Sequence, residues 1–347
     1  MLTHAPFSIN LLTFSYFAQS YHVPPDSDGH YRIHSTEFKS EKSISFGVLG
    51  DWGGFPAPWD NTPFQVSAAK GLGQISKEKD AKFTMAIGDN FYFWGVQDIY
   101  DERWYTTYER IYTDESLQKP WYVCAGNHDW QGNVTAQIEY SKYNQRWTFP
   151  NFYYTVKYEF AENTTLTMIY LDTQMLCDQG VTEVNKQYPT PVTEQMKIDE
   201  MEWLEKELEA TKNDDYVLVV GHYQVHTPSS ALKCMKPVDE LLRKYDVSGY
   251  INGHIHNQLH MSSVEEPKIH YLETGMGALT SVFLQYQPPY KNDAIEVEFI
   301  FQKLLGFKGA FAMATVDEHE LVFEWYVSSD TWPVMQHEVR IPKRKFD

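Results

Sequence analysis

The stretch "GYINGHIHNQ", from Gly249 to Gln258, places two histidines one residue apart, directly after a short apolar run and a glycine. The apolar run predicts a buried strand, and the glycine lets the backbone turn sharply where that strand ends. His254 and His256 are too close in sequence to serve distant tasks. They are either solvated surface residues or ligands of one centre, and the choice depends on the side chains at the ends of the other strands.

Short runs that are rich in β-branched and aromatic residues recur along the chain, and they predict strands buried on both faces. They span residues 43–49, 83–87, 121–125, 166–171, 216–220, 248–252 and 269–273. Helical patterns lie between them, most clearly over residues 193–211 with Thr193 as the cap, and again from Pro237. This alternation indicates an α/β architecture. Residues 309–327 alternate like a hairpin and predict an antiparallel edge.

Five of these predicted strands end in glycine followed by a side chain of the metal-ligand type. The segments are Gly50-Asp51, Gly88-Asp89-Asn90 with Tyr92 close behind, Gly126-Asn127-His128-Asp129, Gly221-His222 and Gly253-His254-Ile255-His256. Sites in open α/β sheets form at the carboxyl ends of strands, so these side chains are expected to meet. Carboxylates, an amide, imidazoles and a phenol are together the donors of a two-metal site. Each segment alone is more often a turn, a helix cap or a core histidine, but five in order favour the metal site.

The charge balance argues against several function classes. The chain of 347 residues has 47 acidic and 29 basic side chains, for a net charge of −18. Nucleic-acid binding needs basic patches, so we expect no nucleic-acid partner. An anionic substrate would need the positive field of bound metal ions. No apolar run is long enough to span a bilayer, so we expect no membrane span.

Several weak signals bear on the cellular compartment. Residues 6–20 are moderately apolar and end in Ala18-Gln19-Ser20, which resembles a signal peptide, although no Lys or Arg precedes them. A disordered extension is the alternative. The triplets that begin at Asn133 and Asn163 are glycosylation sequons. Cys177 and Cys234 fall in loop-like sequence and can form one disulfide, which spacing alone does not establish.

The order of the motifs resembles the calcineurin-like metallophosphoesterases, and within them the purple acid phosphatases, most of all the tartrate-resistant, type 5 enzymes of animals. The match is carried by "GDWGG", "GDNFYFWGVQD", "WYVCAGNHDW" and "DYVLVVGHYQVH", and it extends from about Ser43 to the C-terminus. Tyr92 is decisive, because related Ser/Thr phosphatases and nucleotide phosphodiesterases lack a ligating tyrosine there. The resemblance implies two mixed β-sheets packed as a sandwich flanked by helices. Residues 43–347 would form a single catalytic domain, preceded by a signal peptide and extension over residues 1–42.

The resemblance also implies a role for each ligand. Three residues would hold a ferric ion: Asp51, Tyr92 and His256. Three would hold a second, divalent metal, which is iron or alternatively zinc or manganese: Asn127, His222 and His254. Asp89 would bridge the two ions, and His128 would point at the substrate phosphate.

The chain departs from the family pattern at two places near the site. The resemblance places a second substrate-side histidine near Ala231, where this chain has none. We predict that His226 takes over as phosphate contact or proton donor, with a solvated loop histidine as the alternative. Trp130 stands where a second histidine commonly follows the "NHD" motif, and we expect it to line the rim of the site.

These features predict an acid phosphatase that hydrolyses phosphate monoesters with a metal-activated hydroxide, because a ferric ion keeps water deprotonated in acid. The resemblance implies a Cys177–Cys234 disulfide and a glycan at Asn133, and hence a secreted or lysosomal protein, which we expect to be a monomer. The substrate would be a phosphoprotein or a small phosphate ester. Two alternatives stay open: a related phosphodiesterase, which Tyr92 disfavours, and a secreted iron-binding glycoprotein without significant turnover.

Overall fold

The computed structural model describes residues 23–55, 58–161, 163–177, 192–227, 230–279, 292–301 and 308–345. The strands in chain order are β1 (Arg32–Ser35), β2 (Ser43–Leu49), β3 (Phe83–Ile87), β4 (Trp121–Cys124), β5 (Trp147–Thr148), β6 (Tyr154–Phe160), β7 (Thr164–Tyr170), β8 (Tyr216–Val220), β9 (His226–Thr227), β10 (Ser230–Ala231), β11 (Gly249–Asn252), β12 (Gln258–Ser263), β13 (His270–Thr274), β14 (Ile295–Phe301), β15 (Ala310–Asp317), β16 (Glu320–Val327) and β17 (Val334–Pro342). The helices in chain order are α1 (Pro63–Glu78), α2 (Asn127–Trp130), α3 (Val134–Tyr140), α4 (Thr173–Cys177), α5 (Glu194–Ala210) and α6 (Lys236–Lys244).

Two mixed sheets and their flanking helices form the predicted sandwich. One sheet has eight strands in the order β1-β6-β7-β8-β11-β13-β12-β14, and the other has seven in the order β17-β16-β15-β2-β3-β4-β5. The strands β2, β3 and β4 run parallel, as do β7, β8, β11 and β13. Side chains of both sheets share one hydrophobic cluster, so the core lies between them. None of the described helices is long and apolar enough to cross a membrane.

The central strands agree with the sequence predictions, within two residues at each end. Helix α5 begins after Thr193, whose hydroxyl accepts a hydrogen bond from the Met196 N–H over 3.2 Å. Strands β15 and β16 form the predicted antiparallel hairpin. The sequence analysis missed the longer strands β1, β6, β12, β14 and β17 and the two-residue strands β5, β9 and β10. The burial of β14 and β17 is irregular along the strand, because both lie at sheet edges, so neither shows a continuous apolar run.

Part of the segment before residue 43 pairs with the eight-stranded sheet. Residues 32–35 form β1, which pairs in parallel with β6 at the edge of the eight-stranded sheet. The Arg32 guanidinium also donates to the buried Glu207 carboxylate of α5. Residues 32–35 of the predicted extension therefore pack as part of this sheet, and the boundary of the catalytic domain stays a prediction. The predicted signal peptide lies outside the described residues.

A group of buried aromatic rings anchors the first ligand-bearing turn. Trp52 follows Asp51 and is fully buried, with its ring centroid 5.4 Å from Trp121 and 6.2 Å from Trp147. Its Nε1–H donates to the Asn90 side-chain oxygen over 3.0 Å, which ties the turn after β2 to the turn after β3. Truncation of such a buried tryptophan costs about 3–5 kcal/mol of folding free energy. The aromatic core thus fixes the spacing of two strand ends.

Candidate metal centre

All seven predicted ligands meet at the carboxyl ends of the central strands. Asp51 follows β2, Asp89 follows β3, His222 follows β8 and His254 follows β11, each two residues after the strand ends. Asn127 opens α2 after β4. Both sheets contribute strands, so the centre lies where the carboxyl ends of their central strands come together.

Three of the seven side chains contact each other directly. The Tyr92 hydroxyl lies 3.0 Å from Asp51 Oδ1 and 2.8 Å from His256 Nε2. His256 Nε2 lies 3.3 Å from the same Asp51 oxygen. This first trio consists of the residues that the resemblance assigns to the ferric ion.

A second trio forms around Asn127. Its side-chain oxygen lies 3.2 Å from His222 Nε2 and 3.0 Å from His254 Nδ1. The Nδ1–H of His222 donates to the Ile87 carbonyl over 3.0 Å. This hydrogen bond fixes the ring and directs Nε2 into the centre.

Asp89 lies beside both trios. Its Oδ1 lies 3.4 Å from His222 Nε2 in the second trio. Ligand atoms of Asp89, Asp51 and His256 also all lie within 4.8 Å of one another. A carboxylate in this position can offer an oxygen to each of two neighbouring cations.

His128 stands beside the ligands without belonging to either trio. Its backbone N–H donates to Asp89 Oδ1 over 2.9 Å, and its Nδ1–H donates to the Phe93 carbonyl over 2.8 Å. Its ring centroid is 4.7 Å from that of Tyr92. One hydrogen bond holds the backbone of His128 and the other holds its ring, so Nε2 is the ring nitrogen left for a ligand.

The backbone leaves no spare volume around the carboxylates. Asp51, Asp89 and His254 adopt left-handed backbone conformations with φ of 54°, 52° and 74°, which are costly for such residues. At Gly126 a Cβ atom would stand 2.3 Å from Asp89 Oδ1, and at Gly253 it would stand 2.4 Å from Asp51 Oδ2. Glycine is therefore required at both positions by close packing against the ligands.

Buried carboxylates dominate the charge of the centre. Asp51 and Asp89 are 0% and 1% exposed, and they form ion pairs with the ring nitrogens of His256 and His222 respectively. Burial lowers the pKa of His222, but the charge of Asp89 outweighs it and raises that pKa to about 10. Burial and the charge of His222 lower the pKa of His254 to about 3. Without a metal, a proton on His222 supplies part of the charge that the carboxylates require.

The pKa of the Tyr92 phenol also reflects the excess of negative charge in the centre. Burial first, and the Asp51 carboxylate second, raise its pKa well above the ordinary value. A cation among these oxygens would favour the phenolate and offset the charge of the carboxylates. The donor set therefore fits a pair of metal ions better than it fits protons.

Residues behind the ligands hold the turns in place. The buried Asp129 carboxylate accepts from the backbone N–H groups of Asn90, Phe91 and Gly126. The Thr173 hydroxyl accepts from the N–H groups of His222 and Tyr223 over 3.1 and 2.8 Å. The sequence placed Asp129 in a ligand-type segment without a role, and it did not point to Thr173. The position of Asp129 beside two ligand-type residues was the only signal that could have found it.

Two neighbours of the motifs lie differently from expectation. Trp130 does not line the rim: it is 3% exposed, stacks on Phe152 and donates its Nε1–H to the buried Asp172 carboxylate over 2.8 Å. An indole needs both a large apolar contact and an acceptor, and the interior supplies both. His226 is also buried, with Nε2 3.2 Å from Asp239 and its ring against Tyr271. Its role at the phosphate stays a prediction.

The cysteines are arranged as the resemblance implies. Cys177 at the end of α4 and Cys234 form a disulfide. Cys124 is buried and free in β4. The disulfide ties the segment that follows Thr173 to the turn that precedes α6.

Comparisons with known proteins agree with this geometry. The profile of the calcineurin-like phosphoesterases matches residues 44–258. The tartrate-resistant acid phosphatase type 5 of Oryctolagus cuniculus is 34% identical over 309 residues, which are 87% of this chain and 92% of that protein. Purple acid phosphatase 4 of Arabidopsis thaliana is 32% identical over 243 residues, or 68% of each chain.

A solved structure supports the fold. GAP50, the anchor in the inner membrane complex of Plasmodium, superposes with a TM-score of 0.70 over 88% of this chain and 90% of its own, at 20% identity. Similarity at that identity concerns the fold alone. The family profile, by contrast, spans every predicted ligand from Asp51 to His256. The chain therefore belongs to the calcineurin-like phosphoesterase family and, within it, to the purple acid phosphatases.

Proposed function

We propose that the chain is an acid phosphatase that hydrolyses phosphate monoesters at a centre of one ferric ion and one divalent metal. The observation that carries the proposal is the division of the ligands into two trios, with Asp89 beside both. The rabbit relative, which is named an acid phosphatase, supports the reaction class. A single metal ion would leave one trio without a cation.

The donors of the two trios favour different ions. Asp51 and Tyr92 offer anionic oxygens, which suit a ferric ion, and His256 completes that set. Asn127, His222 and His254 offer a neutral amide oxygen and imidazoles, which suit divalent iron, zinc or manganese. When bound, such a pair of cations would offset the charge of the phosphate oxygens and lower the pKa of water.

The protein side chains would orient the ester. His128 is fixed through its backbone N–H and its Nδ1, so its Nε2 is free to donate to a phosphate oxygen. His226 remains the candidate for a second phosphate contact or proton donor. Because it is buried against Asp239, a His226 variant can also affect folding, so it is tested separately from His128.

We also infer that the protein is a monomer of the secretory pathway, either secreted or lysosomal. The Cys177–Cys234 disulfide supports an oxidising compartment. Of the two sequons, Asn163 is exposed, whereas the Asn133 amide nitrogen donates to the Gln97 carbonyl over 3.0 Å. Asn163 is therefore the more accessible acceptor for a glycan, although the resemblance implies Asn133.

One experiment on a single purified sample tests the proposal. Its metal content is measured by mass spectrometry, its visible spectrum is recorded, and the turnover of 4-nitrophenyl phosphate and of bis(4-nitrophenyl) phosphate is followed in mildly acidic buffer. We expect two metals per chain, at least one of them iron, a visible band and preference for the monoester. Two metals without turnover would favour a metal-binding protein, and preference for the diester would favour a phosphodiesterase.

A further inference from the structure

Three histidines outside the metal centre form a hydrogen-bonded chain between the two sheets. His260 Nδ1 lies 3.1 Å from His337 Nε2, and His260 Nε2 lies 3.0 Å from His270 Nδ1. His260 belongs to β12 and His270 to β13 of the eight-stranded sheet, whereas His337 belongs to β17, the edge strand of the other sheet. We call these three residues the imidazole chain.

The imidazole chain is built into the protein interior. His260 is 3% exposed and His270 is 7% exposed. The His260 ring lies against the Trp325 ring with centroids 5.6 Å apart, and His337 stacks on Phe299 at 4.6 Å. The hydrogen bonds are therefore made by rings that are packed against other rings of the protein, and not by surface side chains.

The geometry suits neutral rings. A neutral imidazole has one N–H donor and one acceptor nitrogen, so His260 can donate to one neighbour and accept from the other. Because the two contacts use opposite nitrogens of His260, the three rings do not converge on one point as metal ligands would. The arrangement links the two sheets through hydrogen bonds, and its geometry is not that of a metal-chelating site.

Added protons weaken this arrangement. A first proton would place a charge on a buried ring, and among the residues that the structure describes no carboxylate lies within hydrogen-bonding distance of His260. A second proton would set one N–H against another N–H, since both nitrogens of an imidazolium are donors. The face of Trp325 attracts an imidazolium but offers no acceptor atom.

The charged groups around the chain do not reverse this effect. Burial and the charge of His270 lower the pKa of His260 to about 3. Burial and the charge of Lys268 lower the pKa of His270 to about 4, against a weaker opposite effect of Glu298 on β14. Burial also lowers the pKa of His337, although Glu298 and Glu338 of β17 act in the other direction.

We propose that the imidazole chain is an acid-released latch, which holds β17 against the eight-stranded sheet at neutral pH and loosens that contact in acid. The proposal does not depend on phosphatase activity. It concerns one seam between the sheets, because β16 is the only described strand that pairs with β17. A loosened edge strand would give the protein a lower limit to its working pH.

The direction of the effect follows from proton linkage. The folded pKa values of these histidines lie below the ordinary value of 6.5. The latch is therefore intact above that pH, and it is lost as the pH falls towards 4. Uptake of one proton on opening raises the opening constant by up to about tenfold per pH unit.

Hydrogen exchange on the metal-loaded protein tests the latch. We compare the wild type with His337→Gln, which breaks one end of the chain at a half-buried position. His319→Gln is the matched control, because that histidine lies in the turn between β15 and β16 with a side chain that is 80% exposed. Exchange of the β17 amides is measured by mass spectrometry from pH 6.5 to pH 4 and corrected for intrinsic rates, with β8 and β11 as internal references.

In the wild type and in His319→Gln we expect the β17 opening constant to rise as the pH falls, while β8 and β11 stay protected. His337→Gln should open more at the higher pH and show a much weaker pH dependence. Equal slopes in His337→Gln and the wild type would overturn the proposal. If that variant does not fold, histidine C2 exchange in the wild type decides: an ordinary pKa for His260 would also overturn it.

Discussion

The two histidine groups of this protein use the same side chain for opposite purposes. In the metal centre, His222 and His256 lie within 3.4 Å of the carboxylates of Asp89 and Asp51. In the imidazole chain, His260 contacts other histidines and an aromatic ring. Both groups are buried, but the pKa of His222 is raised to about 10 by Asp89 despite burial, whereas burial lowers that of His260 to about 3.

The difference shows that the neighbours of a histidine, and not its burial, decide whether the site attracts a cation. Two buried carboxylates create a deficit of positive charge, which a proton or a metal ion can fill. The His260 ring contacts imidazoles and an indole instead of a carboxylate, so its surroundings have no such deficit, and it serves as a hydrogen-bonding link. Variants that remove or bypass the carboxylates therefore test the comparison most directly.

The largest effect is expected for Asp89→Asn. Asparagine keeps the shape but removes the charge that both trios share, so the affinity for both metals should fall more than about 100-fold and turnover should be lost. Metal content after dialysis and turnover of 4-nitrophenyl phosphate measure this. Asp330→Asn, at a carboxylate that is 91% exposed, is the control and should behave like the wild type. Normal retention of both metals in Asp89→Asn would contradict the bridging position.

Tyr92→Phe should remove the visible band completely while the protein keeps its fold. The band requires charge transfer from a phenolate to a ferric ion, and Tyr92 is the phenol within 3.0 Å of Asp51. Tyr100→Phe, at a ring that is 85% exposed, should leave the spectrum unchanged. Absorbance spectra at matched iron content measure the effect. A purple preparation of Tyr92→Phe would refute the assignment of the ferric site.

His128→Ala should lower kcat by about 100-fold while both metals remain bound, because the ring contacts the ligands without belonging to either trio. Metal content and steady-state kinetics on one sample measure this.

His226→Gln separates the two interpretations of that residue. A phosphate contact predicts a raised KM at unchanged Tm. A structural role through Asp239 predicts a lowered Tm at unchanged KM. Steady-state kinetics and thermal melts on the same samples measure both.

The smallest effect is expected in the pH dependence of the metal-free protein. The folded pKa of His222 is about 10 and its ordinary value is 6.5, so the His222–Asp89 pair stabilises the metal-free protein below pH 6.5. That contribution is lost as the pH rises to 10. We therefore expect the Tm of the chelated protein to fall by a few degrees over this range, and the Tm of the metal-loaded protein to change less. Parallel curves would show that no proton replaces the metal.

The sequence was sufficient to predict that the seven candidate ligands meet, because they follow strand ends. Five of the seven follow a glycine at the end of an apolar run, as in Gly253-His254 after β11, and Tyr92 and His256 come within three residues of those five. The imidazole chain offered no such pattern. His260 and His337 lie 77 residues apart inside different strands, and their contact depends on how the two sheets pack.

Two features were predicted wrongly or missed because they depend on long-range packing. Trp130 was expected at the rim because it follows a ligand-bearing motif, but the partner that draws it inward, Asp172, comes from a distant strand end. Strand β1 was missed because its four residues, "RIHS", have no apolar run, and only their pairing with β6 makes them a strand. Long-range packing decided both cases.

The position of β1 has a practical consequence for shortened versions of the protein. A chain that began at Ser43 would keep every metal ligand but would leave the outer backbone groups of β6 unpaired. A bare sheet edge of this kind recruits strands from other molecules. We expect such a truncation to aggregate even though nothing near the metals has been removed, and light scattering would report it.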